Sequence, residues 1–270
     1  MQPGDTSPNL TAAAGRGRPI PQVWQSIAWF AAAAMLTTIA HEAVHGCVAY
    51  ALGVPSTLFN YSVNLNLART EVTVPQRALI GAAGPVFCLG LGVLAWAILR
   101  RARGSEGELP LVYFTVFGVG TFFGNLMSIS FVGDFSSVAR ALNLPMWVRY
   151  AASAVGALAI AGIHFWGGRQ LVRWGPANST RLGRMISAVA IPAVCGTALV
   201  MLVNLPMPPA SVTARLAEAG FWLFAVAGAL TVKGDSPGEP KPAGLRWPAT
   251  ALLLAVLLVR LAVRGIPLTP

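Results

Sequence analysis

Several stretches of the chain are apolar over about 20 consecutive residues, the length that a helix needs to cross the hydrocarbon core of a bilayer. Hydrophobic residues make up 55% of the 270 positions and charged residues only 10%, whereas a soluble domain carries about 25% charged residues. The sequence therefore predicts an all-α polytopic membrane protein. We expect six or seven transmembrane helices, because the stretch at 214–232 begins with Arg215 and Glu218 and is weaker than the others. The predicted spans are 23–52, 76–99, 111–132, 146–166, 184–205, 214–232 and 247–263.

The formal net charge of +10 raises the question of nucleic acid, but the arginines are scattered between the apolar stretches instead of clustering. Arginines in short loops are typical determinants of membrane topology. We therefore expect the lipid bilayer as a partner and no nucleic acid. The arginine distribution favours a cytoplasmic N-terminus in the cell membrane. The arginines that carry this bias are Arg16, Arg18, Arg100, Arg101, Arg103, Arg169, Arg173, Arg181 and Arg184.

The first predicted span contains the pattern His41-Glu42-Ala43-Val44-His45. Residues four apart share a helix face, so the two histidines can direct their imidazoles at one ion. The adjacent carboxylate of Glu42 can reach a metal-bound water without being a ligand. Zinc hydrolysis requires this division of labour: neutral nitrogen ligands, a water of lowered pKa and a base that takes its proton. Ionisable groups within a membrane span are costly and usually functional, so the pattern predicts a Zn²⁺ site over a coincidental pair of histidines.

Two histidines and a water leave one position of a tetrahedral zinc ion for a further side chain. Asp134 is the strongest candidate among the nine carboxylates, because it sits at the boundary of a span without an obvious local partner. Its alternative role is the N-cap of a short helix at 135–142. His164, in the fourth span, is the rival third ligand, although a lone histidine in an apolar helix is more often packed and hydrogen-bonded.

The segment between the first two spans has a different character. Residues 59–67 alternate apolar and polar at every step, which is the pattern of a half-buried strand. Residues 71–74 can return antiparallel to them, so we expect a small β-hairpin within 57–75. The hairpin either offers an edge for an extended peptide or forms an amphipathic flap on the membrane surface.

The second span opens with the small residues Gly81-Ala82-Ala83-Gly84-Pro85. Small residues permit close approach of membrane helices. Ordinary helix packing is enough to explain them and needs no chemistry.

The three cysteines Cys47, Cys88 and Cys195 lie far apart and predict neither a disulfide framework nor a thiolate metal cluster. Cys47 follows His45 by two residues and therefore points away from the expected site. We expect all three to be small core residues.

Taken together, the motifs resemble those of the site-2 protease family of intramembrane zinc metalloproteases. The shared pattern is H-E-x-x-H on one span, G-x-x-G-P on the next, and an Asn followed by an Asp at the third. In this chain the last pair is Asn125 and Asp134, and the resemblance covers about 23–142.

The resemblance implies that His41, His45 and Asp134 bind zinc and that Glu42 is the general base. It makes Asn125 a candidate for holding substrate or stabilising the oxyanion. The implied activity is hydrolysis of peptide bonds in membrane-embedded or membrane-adjacent protein substrates.

The chain departs from the family pattern at three positions near the third ligand. Gly133 precedes Asp134, Phe135 follows it, and Ser128 stands where the family carries a proline. An Asn soon after Gly84-Pro85 is also lacking. These departures indicate a distant member of the family.

The sequence divides into a disordered tail at 1–21, a three-helix metalloprotease core at 22–143 and additional transmembrane helices at 144–270. Two other functions are compatible with it. One is a non-catalytic adaptor or chaperone that retains the protease fold, and the other is a small transporter with Asp134 and His164 along its pathway. Neither explains the H-E-x-x-H spacing, so the sequence favours hydrolysis.

Overall fold

The computed structural model describes residues 20–66, 71–102, 104–176, 179–206, 208–232 and 246–270, without the side chains at 20, 21, 209–211, 214 and 215. The predicted N-terminal tail at 1–21 lies outside the described residues except for its last two. Those two already belong to the first helix, which begins at Ile20.

Within the described residues, five helical stretches are long and apolar enough to cross a membrane, and each coincides with a predicted span. They are Gln22–Ala51, Val74–Leu99, Glu108–Ser130, Met146–Trp174 and Arg181–Val203. The protein is thus an all-α polytopic membrane protein, as predicted. The two remaining predicted spans also fold as helices, but one contains a shorter apolar stretch, Leu216–Leu230, and the other has 17 residues. The fourth long stretch continues as helix beyond its predicted end at 166.

The helices are labelled in chain order. They are α1 (Ile20–Ala51), α2 (Val74–Leu99), α3 (Glu108–Met127), α4 (Asp134–Ala141), α5 (Met146–Leu171), α6 (Arg181–Met185), α7 (Ile191–Val203), α8 (Pro209–Leu230) and α9 (Arg246–Ala262). A short 3₁₀ turn, Ser128–Ser130, follows α3 and leads towards α4. A π-helical segment, Ile186–Ala190, joins α6 to α7 in one span.

Helix α1 lies at the centre and packs against α2, α3, α7 and α9. Helices α2 and α3 cross at two glycines: a methyl group on Gly118 would lie 2.7 Å from the backbone nitrogen of Gly92. Such small residues let membrane helices approach with their backbones almost in contact. On the other face of α3, Tyr113 is fully buried and its hydroxyl lies 2.6 Å from that of Ser26. These contacts fix α1, α2 and α3 relative to one another.

A small antiparallel sheet lies beside the end of α1, in the order β2-β1-β3. Its strands are β1 (Ser56–Leu58), β2 (Val63–Leu65) and β3 (Ile266–Leu268). The hairpin predicted between the first two spans therefore exists, but it covers 56–65, near the start of the predicted range 57–75, and its strands differ from the predicted ones. The first was expected at 59–67 and the second at 71–74.

Two contacts explain the difference. The backbone N–H of Phe59 donates to the carbonyl of Ser62 at 2.8 Å, which closes the turn inside the predicted first strand. Thr73 caps the N-terminus of α2 in a reciprocal arrangement with Gln76, so the residues just before α2 lead into a helix and form no return strand.

The C-terminal half holds the sheet in place from two sides. The Asn60 side chain, in the turn after β1, donates to the Asn204 side chain at the end of α7 at 2.7 Å. Strand β3 pairs with the other edge of β1, and a methyl group on Gly46 would lie 2.5 Å from the Leu268 side chain. The sheet thus rests directly against the turn of α1 that follows His45.

Candidate metal centre

His41 and His45 lie one turn apart on α1 with their imidazoles on one face, as the spacing predicts. Both residues are buried, with 6% and 3% of their surface exposed. The two Nε2 atoms are 3.0 Å apart. Buried polar nitrogens require partners. The two rings therefore form a buried polar site inside the first span.

Asp134, from a distant part of the chain, contributes the third polar side chain of this site. It is the first residue of α4, and its Oδ2 lies 2.9 Å from Nε2 of His41 and 3.4 Å from Nε2 of His45. The N-cap role considered for Asp134 is not what the structure has. Gly133 occupies the cap position with φ 98°, a left-handed conformation that suits glycine, and it has no side chain of its own to cap the helix. This conformation leaves the Asp134 carboxylate directed at the two imidazoles.

The three ligand atoms form a triangle that fits a tetrahedral ion. Their separations are 2.9, 3.0 and 3.4 Å. A tetrahedral zinc ion with ligand distances of about 2.0–2.1 Å keeps its ligands about 3.3–3.4 Å apart, so a small outward movement accommodates it. Three electron-rich atoms this close require a positive centre among them, which either protons on the imidazoles or a metal ion supplies.

The His45 ring is oriented as a metal ligand needs to be. Its Nδ1 lies in hydrogen-bond contact with the backbone carbonyl of Ile80, on α2. A carbonyl accepts only, so Nδ1 carries a proton, and in the neutral ring Nε2 then presents its lone pair to the triangle. Sequence reasoning missed this partner, because a backbone carbonyl leaves no signature in the residue type.

The glycines of α2 give the site its space. Gly84 faces both rings: a methyl group there would lie 2.8 Å from Cδ2 of His45 and 2.9 Å from Cε1 of His41. A methyl group on Gly81 would lie 3.5 Å from the backbone oxygen of Asp134. The predicted close approach is confirmed, and it serves the site because α2 packs against the histidines and the start of α4 at once.

The Asp134 carboxylate is held in its charged form by its surroundings. Burial by itself raises the pKa of Asp134, but the neighbouring imidazoles of His41 and His45 outweigh burial and hold that pKa below its ordinary value. The carboxylate thus brings a negative charge to two imidazoles that are buried in the first span. Glu42 adds a second carboxylate nearby, so a divalent cation would suit the local charge.

Glu42 is half-buried and lies beside the triangle, not in it. It directly follows His41 on α1. Among the described residues, the His, Cys, Asp and Glu side chains whose ligand atoms all lie within 4.8 Å of one another are those of His41, His45 and Asp134. This placement agrees with the prediction that Glu42 is not a ligand.

Asn125 makes contacts that differ from its expected role. Its Nδ2 donates to the carbonyl of Thr121 at 3.1 Å, and its Oδ1 accepts from the backbone N–H of Asp134 at 3.2 Å. Both ends of the carboxamide are therefore engaged within the protein. In this structure Asn125 supports the start of α4 in place of the missing cap side chain, and the role of holding substrate or oxyanion stays a prediction.

His164, the rival third ligand, lies elsewhere. Its Nδ1 donates to the carbonyl of Ile160 at 2.8 Å, and its ring packs edge-on against Trp222 with centroids 5.2 Å apart. It is a buried, hydrogen-bonded histidine of the helix bundle, which is the alternative that its apolar surroundings favoured.

The cysteines were predicted as core residues, and this was wrong for two of them. Cys47 and Cys195 are exposed, whereas Cys88 is buried. Cys47 does point away from the site, as its position two residues after His45 requires, but this direction takes it to the outer surface of the bundle.

Comparison with protein-family models, with curated proteins and with solved structures found no match for this chain. Fold and site together define a polytopic helical membrane protein in which two buried histidines of the first span face an aspartate at the start of the short helix α4.

Proposed function

We propose that the protein is an intramembrane zinc metalloprotease that hydrolyses peptide bonds of membrane-embedded or membrane-adjacent substrates. The observation that carries the proposal is the convergence of Nε2 of His41, Nε2 of His45 and Oδ2 of Asp134 within 3.4 Å of one another. Two histidines and a carboxylate that leave one position for water are the ligand set of catalytic zinc. The resemblance of the motifs to those of site-2 proteases supports the same proposal.

In this proposal His41, His45 and Asp134 hold the ion. When bound, zinc lowers the pKa of a water molecule to near neutrality and polarises the scissile carbonyl. The protein contributes the fixed geometry of three ligands and an apolar enclosure. Two neutral imidazoles and one carboxylate leave the centre with a net positive charge, which favours an electron-rich substrate oxygen at the open position.

Glu42 acts as the general base in this scheme. It takes the proton of the attacking water and delivers it to the nitrogen of the leaving amine. Its position beside the triangle supports this role, since a base must lie close to the reacting water without taking a ligand position. The half-buried setting of Glu42 allows it to exchange protons with water that enters the site.

Access to the site runs past Asp134. The side chain of Asp134 keeps 32% of its exposure, against 7% for His41 and 4% for His45. Ala51, the last residue of α1, comes six positions after His45, which corresponds to about 9 Å along the helix. Substrate and water therefore enter from the end of the bundle that carries the sheet. A substrate helix must partly unwind there, because its amides are otherwise hydrogen-bonded.

The finer localisation forms part of the proposal. The arginine-rich loops favour the cell membrane with a cytoplasmic N-terminus. This orientation places the sheet and the opening of the site on the side away from the cytoplasm.

The proposal is tested by metal analysis and proteolysis on the full chain purified in detergent. We expect one zinc per chain, and cleavage of a membrane-spanning model substrate in vesicles that a zinc chelator abolishes and added zinc restores. Absence of stoichiometric metal would contradict the proposal and favour the non-catalytic adaptor. Stoichiometric zinc without cleavage of any member of a substrate panel would contradict the protease assignment while leaving the metal site intact.

A further inference from the structure

The thiol of Cys88 lies against the His41 nitrogen that does not face Asp134. Its Sγ is 3.5 Å from Nδ1 of His41 and 3.8 Å from the backbone oxygen of Thr37. Cys88 is completely buried. The thiol is thus confined between the ring of a proposed zinc ligand and a carbonyl one turn earlier on the same helix.

Cys88 belongs to a stripe on α2 that runs antiparallel to the histidine face of α1. Ile80, Gly84 and Cys88 are spaced four apart and are all buried, so they share one face of the helix. The Ile80 carbonyl contacts His45, Gly84 lies under both rings, and Cys88 contacts His41. The stripe therefore provides one contact for each ring and space between them.

The importance of this contact depends on which nitrogen of the His41 ring carries a proton. A histidine that binds a metal through Nε2 carries its proton on Nδ1, and that N–H needs an acceptor that fixes the tautomer and the plane of the ring. For His45 the acceptor is the Ile80 carbonyl. For His41 the group at Nδ1 is the sulfur of Cys88, whose own S–H can then point to the Thr37 carbonyl.

We infer that Cys88 is a positioning residue of the metal centre, which orients His41 through a relay from Nδ1–H to Sγ and from S–H to the Thr37 carbonyl. The inference rests on the proposed zinc site and deepens it. Cys88 is not a ligand in this arrangement, because its sulfur faces Nδ1 and the ligand triangle is built on Nε2. A buried cysteine that only filled space would be replaceable by any apolar residue of similar volume.

The test compares Cys88→Ser, Cys88→Ala and Cys88→Val with Cys195→Ala, which removes an exposed thiol and serves as the matched control. The measurement is the zinc affinity of each purified full-length variant, by competition with a chromophoric chelator. We expect Cys88→Ala and Cys88→Val to bind zinc about 10- to 100-fold more weakly, as is usual when the partner of a ligand histidine is lost. Cys88→Ser keeps a donor and an acceptor and should remain within a few-fold of the unmodified protein, as should Cys195→Ala.

Thermal unfolding of the metal-free variants separates orientation from packing. Cys88→Val fills the space, so its metal-free form should unfold at a temperature close to that of the unmodified protein even though its zinc affinity falls.

Unchanged zinc affinity in Cys88→Ala and Cys88→Val would overturn the inference while leaving the metal site in place. A sulfur-to-metal charge-transfer band in the cobalt-substituted protein that disappears in Cys88→Ser would also overturn it, because it would make Cys88 a ligand. Absence of zinc binding in the unmodified protein would instead remove the proposed site and this inference with it.

Discussion

Gly84 of α2 lies directly under the imidazole of His45 on α1, so close that a methyl group there would sit 2.8 Å from the ring carbon Cδ2. A separation below 3.0 Å cannot be accepted without movement of the ring or of the helix. The backbone of α2 is thus the floor of the candidate metal centre. The same close packing that holds the two membrane helices together therefore also fixes the position of the His45 imidazole relative to the backbone of α2.

Replacement of Gly84 by alanine should therefore damage metal binding more than folding. The methyl group would push His45 and His41 off their shared point, and overpacking of this kind costs about 1–3 kcal/mol. We expect zinc affinity to fall at least tenfold in Gly84→Ala. The matched control is Gly90→Ala on the same helix, where a methyl group meets nothing within 4 Å. Equal zinc affinity in the two variants would show that the rings have room to adjust.

Loss of a ligand should remove the metal outright. His45→Ala and Asp134→Ala each leave two of the three ligand atoms, and zinc content after purification should drop from one per chain to a small fraction. Two controls are available in the described part of the chain: Glu106→Ala removes an exposed carboxylate, and His164→Ala removes a buried imidazole that contacts Ile160 and Trp222. His164→Ala should lower the unfolding temperature yet retain zinc. Full zinc occupancy in Asp134→Ala would rule out its role as the third ligand.

Five membrane spans were predictable from the sequence because their apolar stretches are long enough to cross a bilayer. The histidine pair was predictable because helical geometry is local: the i, i+4 spacing alone places His41 and His45 on one face. Asp134 could be reached by elimination, since few carboxylates lie near a span boundary. In each case the signal is carried either by neighbours along the chain or by the rarity of charge in an apolar sequence.

The parts that escaped prediction depend on contacts between distant segments. Strand β3 has three residues and pairs with β1 from the other end of the chain, so its own sequence carries too little periodicity to reveal it. The alternating pattern around Asn60 predicts a strand with this side chain facing solvent, whereas Asn60 lies in a turn and is buried against Asn204. The contact of Cys88 with His41 arises from the crossing of α1 and α2, which no single helix encodes.

Asn125 should behave as a support for Asp134. Its Oδ1 accepts from the Asp134 backbone N–H, so Asn125→Ala leaves that N–H without its partner and loosens the start of α4. Loss of a capping acceptor typically costs about 1 kcal/mol, and the same energy lowers zinc affinity about fivefold. Asn64→Ala, at an exposed position in β2, is the control. If Asn125→Ala instead lowers the cleavage rate while its zinc affinity matches that of the control, the residue acts on substrate or oxyanion as the family resemblance implied.

Substitution of Glu42 should distinguish metal binding from catalysis. Glu42→Gln keeps the size and polarity of the side chain but removes the base, so zinc should remain near one per chain while cleavage falls by a factor of about 10² to 10⁴. Zinc content and cleavage are measured on the same purified sample, beside Glu71→Gln, which changes an exposed carboxylate just before α2 and should alter neither. Cleavage that persists in Glu42→Gln at the unmodified rate would show that another group accepts the proton. Loss of zinc from Glu42→Gln would place this carboxylate among the ligands and change the chemistry assigned to Asp134.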